Sequence, residues 1–247
     1  MNIISLFAGA GGLDLGFKQA GFNTIWVNEY DKDIWETFEK NFTDSRYRLS
    51  FQLLNAHDYG VPQDRKRIFF IGYREDLGIE FEFPKPLKDK LYLQDVIDDL
   101  KDTALSAKDK TYSNGDACEL LNHEYMTGGF SSMYMSRNRV RAWDEPSFTI
   151  QAGGRHAPLH PQAPKMELVE KDKRQFVEGK EELYQRLTIR ECARVQTFPD
   201  EHKFYYKNLT AGYKMVGNAV PVNLAYVLAK KILEDIGKIN TTPYYFS

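Results

Sequence analysis

Residues 2–13 read NIISLFAGAGGL, and the way this stretch breaks decides the fold. The apolar run from Ile3 to Phe7 stops at Ala8-Gly9-Ala10-Gly11-Gly12. Leu13, Phe17 and Ala20 then recur at helical spacing until Gly21 supplies a C-cap. That order is strand, glycine turn, helix. Residues 24–28 (TIWVN) form a second buried-type strand, and Asp31 caps a helix with Ile34, Trp35, Phe38 and Phe42 on one face. A β-α-β-α opening predicts an α/β protein built on a doubly wound, Rossmann-like sheet.

A glycine turn between a strand and a helix lets backbone N–H groups approach a ligand where the helix dipole favours an anionic group. Glu29, at the end of the second strand, is placed to accept hydrogen bonds from ribose hydroxyls. Together they describe a nucleoside cofactor. A dinucleotide fingerprint counted from Gly9 and Gly11 needs glycine or alanine where Asp14 stands, which disfavours NAD. A carboxylate-bearing nucleoside such as S-adenosylmethionine fits better.

Beyond Phe42 the chain has only a few polar residues before a new strand pattern begins near Tyr47. Residues 48–54 and 68–73 are two strand-like runs separated by the turn-rich HDYGVPQ and the basic QDRKR, which predicts a hairpin closing a sheet. Residues 85–185 are irregular, interrupted by Asn114-Gly115, Gly128-Gly129, Gly153-Gly154 and several prolines, and read as an inserted, loop-rich domain. Regular structure returns with the capping box Thr188-Ile189-Arg190-Glu191, whose helix ends before Pro199. A last helix is expected to start near Pro221, with Leu224, Val227, Leu228 and Ile232 on one face and Gly237 beyond its end. The division is thus 1–84 plus 186–247 for one domain and 85–185 for the other.

With 247 residues, 42% of them apolar, the chain can bury a sizeable core. No apolar run approaches the ~20 residues of a membrane span and no secretory leader is evident, so a cytoplasmic monomer with no membrane partner is expected. Cys118 and Cys192 stand far apart, forming neither a CxxC pair nor a disulfide framework, and no metal site is expected. The net charge of −2 argues against blanket attraction to nucleic acid. Locally, Arg65, Lys66, Arg67 and Arg74 against Asp64 leave +3 over residues 63–74. Arg137, Arg139, Arg141, Arg155 and Lys165 against Asp144 and Glu145 leave +3 over residues 131–165. Gln63, Arg65 and Arg67 alternate, as if on one face of an extended strand, where they would grip phosphate and a base edge. Arg137, Arg139 and Arg141 repeat the device, and bidentate arginine is the commonest reader of guanine.

Five stretches in order, FAGAGGLDLGF, NEYD, QDRKRIFFIG, RLTIRECARVQTFPD and GYKMVGNAVPV, resemble the bacterial DNA (cytosine-5) methyltransferases over nearly all of both flanks. The segment RNRVRAWDEPSFTIQAGGR resembles the target-recognition domain of the branch that reads GGCC. This likeness implies S-adenosylmethionine as cofactor and double-stranded DNA as partner, with an extruded cytosine. It implies that Phe7, Gly9, Gly11, Gly12 and Leu13 line the cofactor pocket, Glu29 holds the ribose, Tyr30 stacks near the adenine, and Asn218 with Ala219 closes the site. Gln63, Arg65 and Arg67 would face DNA, and Arg137, Arg139 and Arg155 would contact guanine.

The same resemblance implies a cysteine thiolate in a Pro-Cys loop and the glutamate of a Glu-Asn-Val motif, and neither motif occurs in this chain. No catalytic residue is therefore assigned. Cys118 sits in SNGDACELL, and Cys192 in the capped helix reads as a buried thiol. The missing elements belong at the joint near residues 42–47, where TDSR is too short for the β-α units that would carry them. Their loss should leave a gap in the sheet between the first strand and the closing hairpin. Either the chain descends from an active enzyme by internal deletion, or a segment of a longer molecule is missing, unless a companion polypeptide supplies it.

Overall fold

A computed structural model describes residues 2–6, 23–29 and 47–241, which fall into two compact units. The first comprises residues 1–55, 66–86 and 226–247; the second comprises 56–65 and 87–225. The expected helices after residues 6 and 30, and the joint itself, lie outside the described residues.

The first unit holds a four-stranded sheet of β1 (Asn2–Leu6), β2 (Asn23–Glu29), β3 (Tyr47–Asn55) and β4 (Lys66–Arg74), in the order β1-β2-β4-β3. β1 and β2 run parallel, as the strand-turn-helix opening requires, with Leu6 opposite Asn28. β3 and β4 form the expected antiparallel hairpin, pairing from Tyr47 opposite Arg74 to Asn55 opposite Lys66. Ile68, Phe69, Phe70 and Ile71 are all buried, so β4 is covered on both faces. No gap separates the hairpin from the parallel pair. β4 lies antiparallel against β2, with Glu29 opposite Ile68, and β1 has no second neighbour among the described residues.

The final helix, α4 (Val222–Thr241), begins where Pro221 predicts but runs through Gly237 instead of stopping before it. One exposed glycine costs a helix about 1 kcal/mol relative to alanine, too little to end twenty residues of it. In the first unit, Tyr73 of β4 donates its hydroxyl proton to Asp235 at 3.2 Å, and Asp235 also pairs with Lys231 one turn earlier.

The second unit is poor in regular structure, as its proline and glycine content implies. Its strands are the two-residue pair β5 (Leu105–Ser106) with β6 (Glu124–Tyr125) and the short hairpin β7 (Glu167–Glu170) with β8 (Lys173–Gln175). Its helices are the single turn α1 (Gln94–Ile97), α2 (Ile189–Val195) and α3 (Leu209–Asn218). α3 went unread in the sequence, though Asn208 caps it by accepting from the Thr210 N–H at 2.8 Å. Its buried side, with Leu209, Tyr213 and Val216, joins Ile189, Cys192 and Val195 of α2 in one core.

α2 starts on the predicted capping box. The Thr188 hydroxyl accepts from the Glu191 N–H at 3.0 Å, and Glu191 Oε2 accepts from the Thr188 N–H at 2.8 Å. The helix is buried on nearly every side, which demands partners for its charged groups. Arg190, fully buried, donates to the carbonyls of Leu121, Pro199 and His202 and to Asn122 Oδ1. His123 Nε2 lies 3.0 Å from the Leu100 carbonyl and must donate there, so Nδ1 accepts from the Thr188 hydroxyl at 3.0 Å. Burial holds the imidazole below its usual value, with Glu191 pulling the other way, so the ring is neutral near pH 7 and its Nδ1 serves as the acceptor.

The unfolded chain takes up that proton near pH 6.5, above the value in the folded state, so this contribution to stability is complete above about pH 6.5 and is lost as pH falls below it. Urea unfolding at pH 7.5 and pH 5 should therefore show an acid-linked loss of stability that shrinks in His123→Gln; equal pH dependence in both proteins would refute the assignment.

Candidate functional site

The cofactor residues implied by sequence divide between described and undescribed parts. Phe7, Gly9, Gly11, Gly12, Leu13 and Tyr30 lie outside the described residues, and of Glu29 only the backbone position is described. That position is informative. β1 ends at Leu6 and β2 at Glu29, with Leu6 opposite Asn28, so these two adjacent parallel strands end together at the carboxyl edge of the sheet. Nucleosides bind at that edge in doubly wound folds. In the second unit, Asn218 is the exposed last residue of α3 and Ala219 follows it.

QDRKR does not form one strand face. β4 begins only at Lys66, and Gln63 and Arg65 precede it in the loop 56–65 that belongs to the second unit. A bridge between Gln63 and Ser147 turns that loop into the interior, so Gln63 and Arg65 are 0% and 3% exposed. Gln63 Oε1 accepts from the Ile150 N–H at 3.0 Å, while its amide nitrogen donates to Gln196 at 3.2 Å. Arg65 donates to the carbonyls of Ile150 at 3.0 Å and Gly217 at 2.9 Å. These two side chains tie the loop to residues 150 and 217; Arg67 alone of the three sits on β4, half-buried.

The second basic cluster is divided in its environments. Arg137 is exposed. Arg139 stacks over the Tyr134 ring at 4.8 Å and donates to the Tyr134 carbonyl at 2.9 Å, which fixes its stem. Tyr134 is anchored in turn by its hydroxyl, which donates to the Ala157 carbonyl at 2.7 Å, two residues from Arg155. Arg141 is occupied differently: it pairs with Asp64 at 3.0 Å and lies over Phe148.

Arg155 sits on a cleft of about 840 Å³ inside the second unit, lined also by residues 110–111, 126–129 and 152–154. Two contacts set its shape. A side chain at Gly217 of α3 would come within 2.3 Å of the Gln151 carbonyl oxygen, and one at Gly154 within 2.6 Å of the Tyr213 ring. Helix α3 therefore packs directly against the AGGR loop. On the opposite side, Arg186 donates to the carbonyls of Met126, Gly128 and Gly129 at 3.1–3.2 Å. Sequence reading missed Arg186, since an arginine two residues before a helix cap carries no signal of burial.

Neither cysteine is poised for nucleophilic attack. Cys192 is fully buried in α2, and burial with nearby Glu191 pushes its thiol well up. The half-buried Cys118 thiol is pushed up to about 11 by burial and by Glu124. A thiol so raised is ionised to only about one part in ten thousand at pH 7.

The comparisons with known proteins fit this geometry. A family model described as C-5 cytosine-specific DNA methylase matches residues 1–46 and 42–234. The Type II methyltransferase M.FnuDI of Fusobacterium nucleatum is 44% identical over 327 residues, covering 96% of this chain and 95% of that protein. M.MthTI of Methanothermobacter thermautotrophicus is 45% identical over 324 residues, covering 96% and 98%. This chain belongs to the C-5 cytosine-specific DNA methylase family, whose members use S-adenosylmethionine. Two solved structures share its fold at TM-score 0.57: a putative DNA modification methyltransferase of an Escherichia coli prophage, 15% identical with 97% of this chain and 99% of that one covered, and a DNMT2 of Spodoptera frugiperda, 12% identical with 94% and 99% covered. None of the helices among the described residues is long and apolar enough to cross a membrane.

Exposure of the native protein to iodoacetamide at pH 8 should leave Cys192 unmodified and label Cys118 far more slowly than a free thiol, with both labelled in urea. Rapid native labelling of either, read by peptide mass spectrometry, would contradict these environments.

Proposed function

We propose that this chain carries the DNA-reading and cofactor-binding flanks of a GGCC-directed (cytosine-5) methyltransferase of the restriction-modification type, without the segment that performs methyl transfer. Where the two matched stretches of the family model meet, at residues 42–46, lies the observation that carries this reading. The alignment with M.FnuDI runs over 327 positions, but 96% of 247 residues is about 237, so roughly 90 positions have no residue of this chain opposite them. That length suits several β-α units carrying a Pro-Cys loop and a Glu-Asn-Val motif.

The chemistry needs that segment. Carbon 5 of cytosine is too poor in electrons to attack a sulfonium until a thiolate has added to carbon 6 of the flipped base. Bound S-adenosylmethionine would supply the electrophilic methyl group. On this reading Phe7, Gly9, Gly11, Gly12, Leu13, Glu29 and Tyr30, with Asn218 and Ala219, hold the cofactor, the ribose falling to Glu29. Arg137, Arg139 and Arg155 read guanine edges, Arg67 faces the DNA, and Gln63 and Arg65 act behind it by fixing the loop that leads to β4. The recognition function falls to residues 85–185, whose AGGR loop packs against α3.

Incubation of the 247-residue chain with radiolabelled S-adenosylmethionine and a GGCC duplex should give salt-sensitive DNA binding and no transfer of label. Incorporation of label into the DNA would overturn the proposal and require another nucleophile.

A further inference from the structure

We propose that Tyr134 is a positioning residue for sequence discrimination: it sets the spacing between Arg139 and Arg155, two of the arginines assigned above to guanine. The proposal rests on that assignment and names the side chain that fixes its geometry. No helix or strand lies between residues 140 and 152. The separation of the two arginines is therefore set by contacts between loops.

Tyr134 makes such contacts in both directions. Toward Arg139, its ring lies 4.8 Å from the guanidinium carbon and its carbonyl accepts from Nε at 2.9 Å, while the Met133 carbonyl accepts from Nη2 at 3.3 Å. Two of the five N–H donors are thus used to orient the plane. Toward Arg155, the Tyr134 hydroxyl donates to the Ala157 carbonyl at 2.7 Å. The His156 and Ala157 N–H groups donate back to the carbonyls of Gly153 and Gly154, at 3.0 and 3.2 Å, so the turn that carries Arg155 is closed on itself and anchored at its far end by this one phenol.

The anchor is itself immobile. Tyr134 is 1% exposed, and Phe130 stacks on its ring at 5.1 Å while meeting Phe176 edge-on and lying under the Arg186 guanidinium. Burial holds the phenol well above its ordinary value, so it remains a donor at neutral pH. A second link, from the Leu159 N–H to the Arg139 carbonyl at 3.0 Å, keeps the two segments adjacent but acts on the main chain alone. The apolar part of Tyr134 packs with Val140, Leu159, Met166 and Tyr184, a task that phenylalanine would perform equally well. The hydroxyl is the part that packing does not require. Hydrogen bonds weaken steeply when misaligned, so an arginine turn that shifts loses its preference for one base edge before it loses attraction to the duplex.

The test uses the full chain with a fluorescent GGCC duplex and a scrambled duplex. Tyr134→Phe should lower the preference for GGCC over the scrambled duplex by about tenfold, a large part of what one bidentate arginine contributes. Because the hydroxyl acts through the turn of Arg155, the same substitution should leave the preference unchanged in an Arg155→Ala background. In the unaltered protein, the GGCC duplex and not the scrambled one should slow amide exchange at residues 131–136 together with residues 153–157. Equal weakening of both duplexes by Tyr134→Phe, an undiminished effect in Arg155→Ala, or slowing at 153–157 with none at 131–136 would overturn the role and leave the DNA-reading function standing. A wild-type chain with no preference for GGCC would overturn both.

Discussion

Buried carbonyl groups without a ladder are the constraint on which the second unit depends. A segment so rich in glycine and proline makes few strands, yet its peptide groups are folded into an interior where each unpaired one is costly. Arginine meets this need because one guanidinium offers five N–H donors in a fixed plane. Arg190 serves residues 121, 122, 199 and 202, Arg186 serves 126, 128 and 129, and Arg65 serves 150 and 217. Leaving a buried donor or acceptor of such a set unsatisfied generally costs about 1–3 kcal/mol, so each of these three arginines ties several loop carbonyls at once.

That architecture separates two kinds of basic residue that look alike in a sequence. Arg65, Arg186 and Arg190 face inward and fix loops. Arg137 and Arg155 remain exposed, and the half-buried Arg139 is held against the Tyr134 ring and the carbonyls of Met133 and Tyr134. The exposed arginines thus stand beside a scaffold of the same residue type. Its precision comes from close approach: Gly217 against Gln151 and Gly154 against Tyr213 leave no room for a methyl group, so helix α3 sets the position of the AGGR loop.

Much of this was legible in the sequence. The capping box at Thr188 requires a specific pair of side chains three residues apart, so it announced α2, and two strand-like runs around a turn-rich stretch announced the β3–β4 hairpin. The buried state of Cys192 followed from its place in a capped helix. What the sequence hid was direction. Gln63, Arg65 and Arg67 alternate as strand residues would, but the bridge from Gln63 to Ser147, distant in the chain, turns the first two inward. Gly237 resembled a helix end because glycine favours such ends, although one glycine costs too little to stop a twenty-residue helix. The seating of β4 against β2 was illegible for a similar reason, since strand order is set by pairing between residues far apart in sequence.

The central claim is that a family built on covalent attack at cytosine is represented here by a chain with no thiol able to make that attack. A GGCC duplex carrying 5-fluorocytosine tests it most directly, because fluorine at carbon 5 blocks the elimination that would release the enzyme and so traps any covalent intermediate. With S-adenosylmethionine present, mass spectrometry of the mixture should show the intact 28.7 kDa chain and no protein–DNA adduct. An adduct mapped to Cys118 or Cys192 would contradict the account.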